Sequence, residues 1–161
     1  MASLPQLLEE DIQRIDAVAG DFLAKSEASV VLLTAEGGFC FFRKGEEGQF
    51  QASALGALAS GVFEGTQAIA SIISEPNFSS IYQQGEKYSL LVSKVDACGN
   101  LFIVLFPARI SLGAIKYYAN SAIQSIAEQI QIARDRAPGQ SLDLAMLNLS
   151  ETTDIFRKKQ P

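Results

Sequence analysis

Leu101-Phe-Ile-Val-Leu-Phe106 is apolar at each of its six positions and is closed by Pro107. A strand with one wet face alternates apolar and polar residues. An unbroken apolar run therefore predicts a central strand covered on both sides. Downstream, Ser111 is placed to cap a long helix with core face Leu112, Ile115, Ala119, Ala122, Ile123, Ile126 and Ile130, broken at Pro138-Gly139. Upstream, Asp96 to Asn100 reads as a loop. Phe78 to Gln83 and Tyr88 to Val95 read as strands joined around Gln84-Gly85-Glu86.

Further back, Val30 to Leu33 and Phe39 to Arg43 form a hairpin across Glu36-Gly37-Gly38. The first helix runs from Pro5 to about Lys25, with Leu8, Ile12, Ile15, Val18, Ala19 and Phe22 at three- and four-residue spacing. Pro5 suits its first turn, and Glu9, Glu10 and Asp11 read as solvated acids complementing the helix dipole. Neighbours on a helix point in different directions, which argues against a metal cluster there. The order is helix, two strands, helix, three strands, helix, tail. It predicts an α/β (α+β) fold in which a five-stranded, mostly antiparallel sheet lies between helix two on one face and helices one and three on the other.

Helix two, from Ala52 to about Ser74, ends before Glu75-Pro76. Leu55, Leu58, Ala59, Val62, Thr66, Ile69 and Ile73 form one apolar stripe, while Ala57, Gly61, Gly65 and Ala68 form another with almost no side chain. Gly56, Gly61 and Gly65 inside one helix each cost about 1 kcal/mol against alanine. Close approach of another backbone is the economical reason to keep them.

The 161 residues fit one ordinary domain with a short appendage, and 48% apolar against 19% charged residues gives enough for a full core. A net charge of -5 opposes nucleic-acid binding. Histidine is absent, which removes Ser-His-Asp and Cys-His catalysis, histidine metal sites and imidazole switches. Cys40 and Cys98 stand far apart without metal-ligand spacing, and reduced, partly buried thiols are expected. The three helix-two glycines are no phosphate loop, because no Gly-Lys-Ser/Thr follows. Arg109, after the central strand, reads as a surface residue. No catalytic, cofactor or metal constellation emerges. The acidic start is unlike a signal peptide and no apolar run is long enough for a membrane span, so a soluble, cytoplasmic protein is expected.

Three segments carry a resemblance. Ser53 to Glu75 contains Leu58-Ala-Ser-Gly61 and Gly65-Thr66. Phe78-Ser-Ser-Ile-Tyr-Gln-Gln-Gly-Glu-Lys-Tyr-Ser-Leu90 holds a Phe and Gly-Glu-Lys strand pair, and Leu101 to Phe106 is followed by Ser111-Leu-Gly113. Together they resemble the roadblock (dynein light chain) family, particularly its bacterial MglB branch, across roughly residues 7 to 135. The resemblance implies a homodimer whose sheets join edge to edge through the middle strand and whose second helices pack antiparallel. It also implies that this pair is a platform for a small Ras-like GTPase of the MglA type, whose hydrolysis is accelerated without an arginine finger. Helix two contains no arginine.

The expected layout is a roadblock-like domain over 1–137 and a flexible tail over 138–161. The dimer seam is expected at Ala57, Gly61, Gly65 and Ala68, and GTPase contacts on the outward face of helix two at Ser53, Ser60, Glu64, Gln67 and Ser71. In the tail, Ser150-Glu151-Thr152 and Asp154-Ile155-Phe156 allow one or two helical turns. Asp154, Ile155 and Phe156 resemble the family's C-terminal partner contact, while Leu142, Leu144 and Leu147 offer a fold-back onto the dimer. The alternative is a roadblock dimer that only scaffolds a larger assembly, and a small-molecule sensor is a third class.

Overall fold

The computed structural model describes residues 3–136 apart from 47 and 49, so the tail and its expected contacts Asp154, Ile155 and Phe156 lie outside the described residues. Five strands follow the expected order: β1 (Val30–Thr34), β2 (Cys40–Gly45), β3 (Ser80–Gln84), β4 (Tyr88–Lys94) and β5 (Leu101–Pro107). The helices are α1 (Glu9–Ser26), α2 (Ala52–Ile72) and α3 (Leu112–Arg136). The sheet order is β2-β1-β5-β4-β3 and every pairing is antiparallel.

The apolar run is indeed the centre. β5 pairs with β1 on one side and β4 on the other, and its side chains alternate between two cores. Phe102, Val104 and Phe106 join Val31, Leu33 and Leu91 beneath α1 and α3, which contribute Ile15, Phe22, Ile115, Ile126 and Ile130. Leu101 and Ile103 join Val30, Leu32 and Val92 beneath α2, which contributes Ala59 and Phe63. Each of the large side chains among them, when fully buried, contributes roughly 1.5–3 kcal/mol. Phe22 meets Phe102 edge-on with ring centroids 5.3 Å apart.

Helix one starts later than expected. Pro5 lies before it, and the first turn opens at Glu9 with Leu8 as N-cap. The cause is Asp11, whose carboxylate turns back to accept the Leu8 backbone N–H at 2.7 Å. Asp11 is also fully buried, not solvated. At α3 the expected cap is present, with the Ala114 N–H donating to Ser111 Oγ at 3.2 Å.

The strand in the middle of the sheet, β5, has no free edge, whereas β3, the middle strand in chain order, lies at one. Any joining of two sheets therefore falls to an edge strand.

The turn between β1 and β2 seats α2. Gly37 and Gly38 both have left-handed φ, 84° and 88°, and a Cβ at Gly38 would stand 2.8 Å from the Ala57 Cα. Gly38→Ala combines backbone strain with a backbone clash. It is expected to destabilise the fold by roughly 2–4 kcal/mol, lowering the melting temperature by about 10 °C. An unchanged melting curve would show that α2 is not anchored there.

Candidate partner-binding face

α2 is apolar around most of its circumference, and Glu64 is its only charged residue. The sheet takes Gly56, Ala59, Ser60, Phe63 and Ala70. The two stripes read from the sequence do not separate into a core face and an outer face. From the first, Ala59 is buried, yet Leu58 is 70%, Val62 45% and Ile69 53% exposed, and Ile72 beyond them is 82% exposed. The small stripe, Ala57, Gly61, Gly65 and Ala68, is exposed as well. The three glycines therefore have different causes. A Cβ at Gly56 would lie 2.9 Å from Thr34 Cγ2, so this chain's own β1 accounts for it. At Gly61 and Gly65 a Cβ would meet nothing within 4 Å. Among the described residues, nothing requires glycine there.

The outer half of α2 thus has three parts. Bare backbone at Ala57, Gly61, Gly65 and Ala68 forms the crest. Leu58, Val62 and Ile69 form an apolar flank, and Ser53, Glu64 and Ser71 an exposed polar flank. Two residues expected on the outward face are not there. Ser60 is only 5% exposed, tucked under the β1–β2 turn where it nears Gly38. Gln67 is half-buried because its amide donates to the Phe78 carbonyl at 3.1 Å, tying α2 to the segment before β3.

Beyond the polar flank lies a cleft of about 320 Å³ between α2, the β1–β2 turn and the β4–β5 loop. Ser60, Glu64 and Gln67 line it together with Glu36, Lys94, Cys98, Phe63 and Leu101. The sequence pattern shows no polar pocket, because these groups come from four separate segments. The β4–β5 loop is held by Asp96, which accepts the Cys98 N–H at 2.9 Å and the Asn100 side-chain amide at 2.7 Å. Both cysteines are free, and burial pushes the Cys40 thiol pKa up.

Among the described residues, no helix is long and apolar enough to cross a membrane. Of the three early acids, Glu9 points away from the other two. Glu9 accepts from Gln13, while Glu10 and Asp11 both reach Arg136.

The arrangement of a five-stranded antiparallel sheet with one helix on one face and two on the other is the roadblock fold, and solved structures agree. A structure described as MglB with a tetrameric arrangement superposes with a TM-score of 0.76 at 23% identity, covering 83% of this chain and 99% of its own. Myxococcus xanthus MglB gives 0.72 at 23% identity, over 80% and 96%. A Roadblock/LC7 domain from Streptomyces avermitilis gives 0.65 at 15% identity, over 72% and 97%. The chain therefore has the roadblock fold, and resembles MglB in shape. No family model and no curated protein matches it.

Proposed function

We propose that this chain is a homodimeric, non-enzymatic regulator that binds a small Ras-like GTPase of the MglA type and stimulates its GTP hydrolysis or nucleotide cycle. The observation that carries the reading is the outer half of α2, where large exposed apolar side chains stand beside glycines that no other described residue approaches. Exposed aliphatics in such number mark a surface that is covered in use. Bare backbone favours a second helix at close range over a loop or a small molecule. A second copy supplies that helix, with Ala57, Gly61, Gly65 and Ala68 at the seam and the β3 edges joined. The paired helices then present Ser53, Glu64 and Ser71, beside the cleft that Gln67 helps to line, to the GTPase.

With no arginine in α2, the regulator acts by positioning the GTPase's own residues. The tail, through Asp154, Ile155 and Phe156, adds a second contact. The setting is cytoplasmic.

The test is GTP turnover by a candidate GTPase with and without this protein, after pull-down in both nucleotide states. Stimulated turnover is expected. Binding without any change in turnover would favour the scaffold reading, and no binding in either state would remove the GTPase. Within this reading, Glu64→Lys is expected to weaken partner binding about tenfold, or roughly 1.4 kcal/mol. The melting temperature should move little, since exposed substitutions away from special features cost within about 0.5 kcal/mol. Unchanged affinity would take Glu64 out of the contact.

A further inference from the structure

We infer that the cleft beside α2 is a receptor for a long basic side chain, arginine or lysine, presented by the bound partner. This deepens the reading above by naming what the partner inserts, but its geometry stands on this chain alone. The cleft has an apolar floor of Phe63 and Leu101, both nearly fully buried, which suits an aliphatic stem. Glu36 from the β1–β2 turn and Glu64 from α2 line it from two different elements and suit a cationic head. Ser60, 5% exposed, also lines it. The Ser60 hydroxyl oxygen can accept from a guanidinium or ammonium N–H beyond the carboxylates.

Among the described residues, two acids against the single cation Lys94 leave the lining with a net negative charge. The whole chain, at -5, adds to that field. An anionic occupant would meet Lys94 but also both carboxylates. Lys94 is a competitor for the acids, not the recognition group. Position completes the argument. The apolar flank of α2 and its bare crest are the parts a second copy covers, whereas the cleft opens on the opposite, polar flank. Dimerisation through the crest therefore leaves the cleft free to take a third component.

The test is an NMR titration of the full chain with blocked tripeptides, Gly-Arg-Gly, Gly-norleucine-Gly and Gly-Glu-Gly, needing no GTPase, so that it can fail while the regulator reading stands. The arginine peptide is expected to shift the amides of Ser60, Glu64, Lys94 and Cys98, and the other two to leave them still. Glu36→Gln with Glu64→Gln should weaken the arginine peptide at least tenfold. Lys94→Gln should tighten it severalfold, an effect that mere surface damage would not produce. Loss of binding in Lys94→Gln, preference for the glutamate peptide, or no shift in the cleft with any peptide would overturn the proposal.

Discussion

A Gly61→Leu chain is expected to sediment as a monomer at micromolar concentrations where the wild type sediments as a dimer. Overpacking a well-fitted contact costs about 1–3 kcal/mol, and two-fold symmetry places the leucine at two positions in each dimer. A loss of roughly 2–6 kcal/mol raises the dissociation constant from about thirty-fold to more than ten-thousand-fold. The isolated fold has no reason to suffer. A Cβ at position 61 meets nothing within 4 Å among the described residues, and replacing a mid-helix glycine gains up to about 1 kcal/mol of helix propensity. The variant should therefore lose its partner copy while its far-ultraviolet dichroism stays unchanged. Gly56 is the contrasting control. There a side chain strikes Thr34 within the chain, so the damage falls on folding and not selectively on assembly. A wild type that is monomeric under these conditions would refute the seam, and with it the platform.

The sheet was legible in the sequence because its centre announces itself. Leu101 to Phe106 lacks any polar position, and only a strand with a core on each side tolerates that. Placing α2 alone on one face and α1 with α3 on the other follows from the same run, and the two cores divide along its alternation. The orientation of α2 was not legible. Periodicity selects a buried face only when the opposite face is polar, and this helix has a single charge in 21 residues. Beside Phe63, the inner face turns out to use small residues, Gly56 where β1 approaches at Thr34 and Ser60 where the β1–β2 turn approaches at Gly38. The large aliphatics that look like core, Leu58, Val62 and Ile69, are left outside. The cleft escapes sequence reading for another reason. Glu36, Glu64 and Lys94 belong to a turn, a helix and a strand end that only the fold assembles.

A large loss of stability from a single polar truncation is expected at the opposite face, where Asp11 clamps the start of α1 to the end of α3. Its carboxylate is fully buried and accepts four hydrogen bonds. Arg136 Nη1 donates to Oδ2 at 2.8 Å and Nη2 to Oδ1 at 3.0 Å, a two-pronged pairing. Gln129 Nε2 donates to Oδ1 at 2.7 Å, and the Leu8 backbone N–H to Oδ2 at 2.7 Å. Nearby, Arg134 Nη1 donates to the Ser3 carbonyl at 2.9 Å, so the segment before α1 is strapped to the same helix end. Asp11→Ala removes the common acceptor at once and leaves the Leu8 N–H and the Gln129 amide unpaired. Glu10, 3.0 Å from Arg136, keeps part of the guanidinium's pairing. The expected cost is about 2–4 kcal/mol, below the full penalty for breaking a wholly buried pair because Arg136 is partly wet. Acid should expose the same clamp. The hydrogen bonds from Arg136 hold the Asp11 carboxyl down at about 2, against an ordinary 3.8, with Leu8 and Gln129 assisting and burial opposing. A carboxylate with a depressed folded pKa stabilises fully above its unfolded value and loses that contribution as pH falls through the folded one. Asp11 therefore contributes fully above about pH 4 and progressively less towards about pH 2, an amplitude of roughly 2 kcal/mol. Asp11→Asn, which cannot titrate, isolates this term from the other carboxylates. Urea unfolding of wild type and Asp11→Asn should show a stability gap that narrows by roughly 2 kcal/mol between about pH 4.5 and about pH 1.5. A gap that stays constant across that range would mean the carboxylate charge is not what holds α1 to α3.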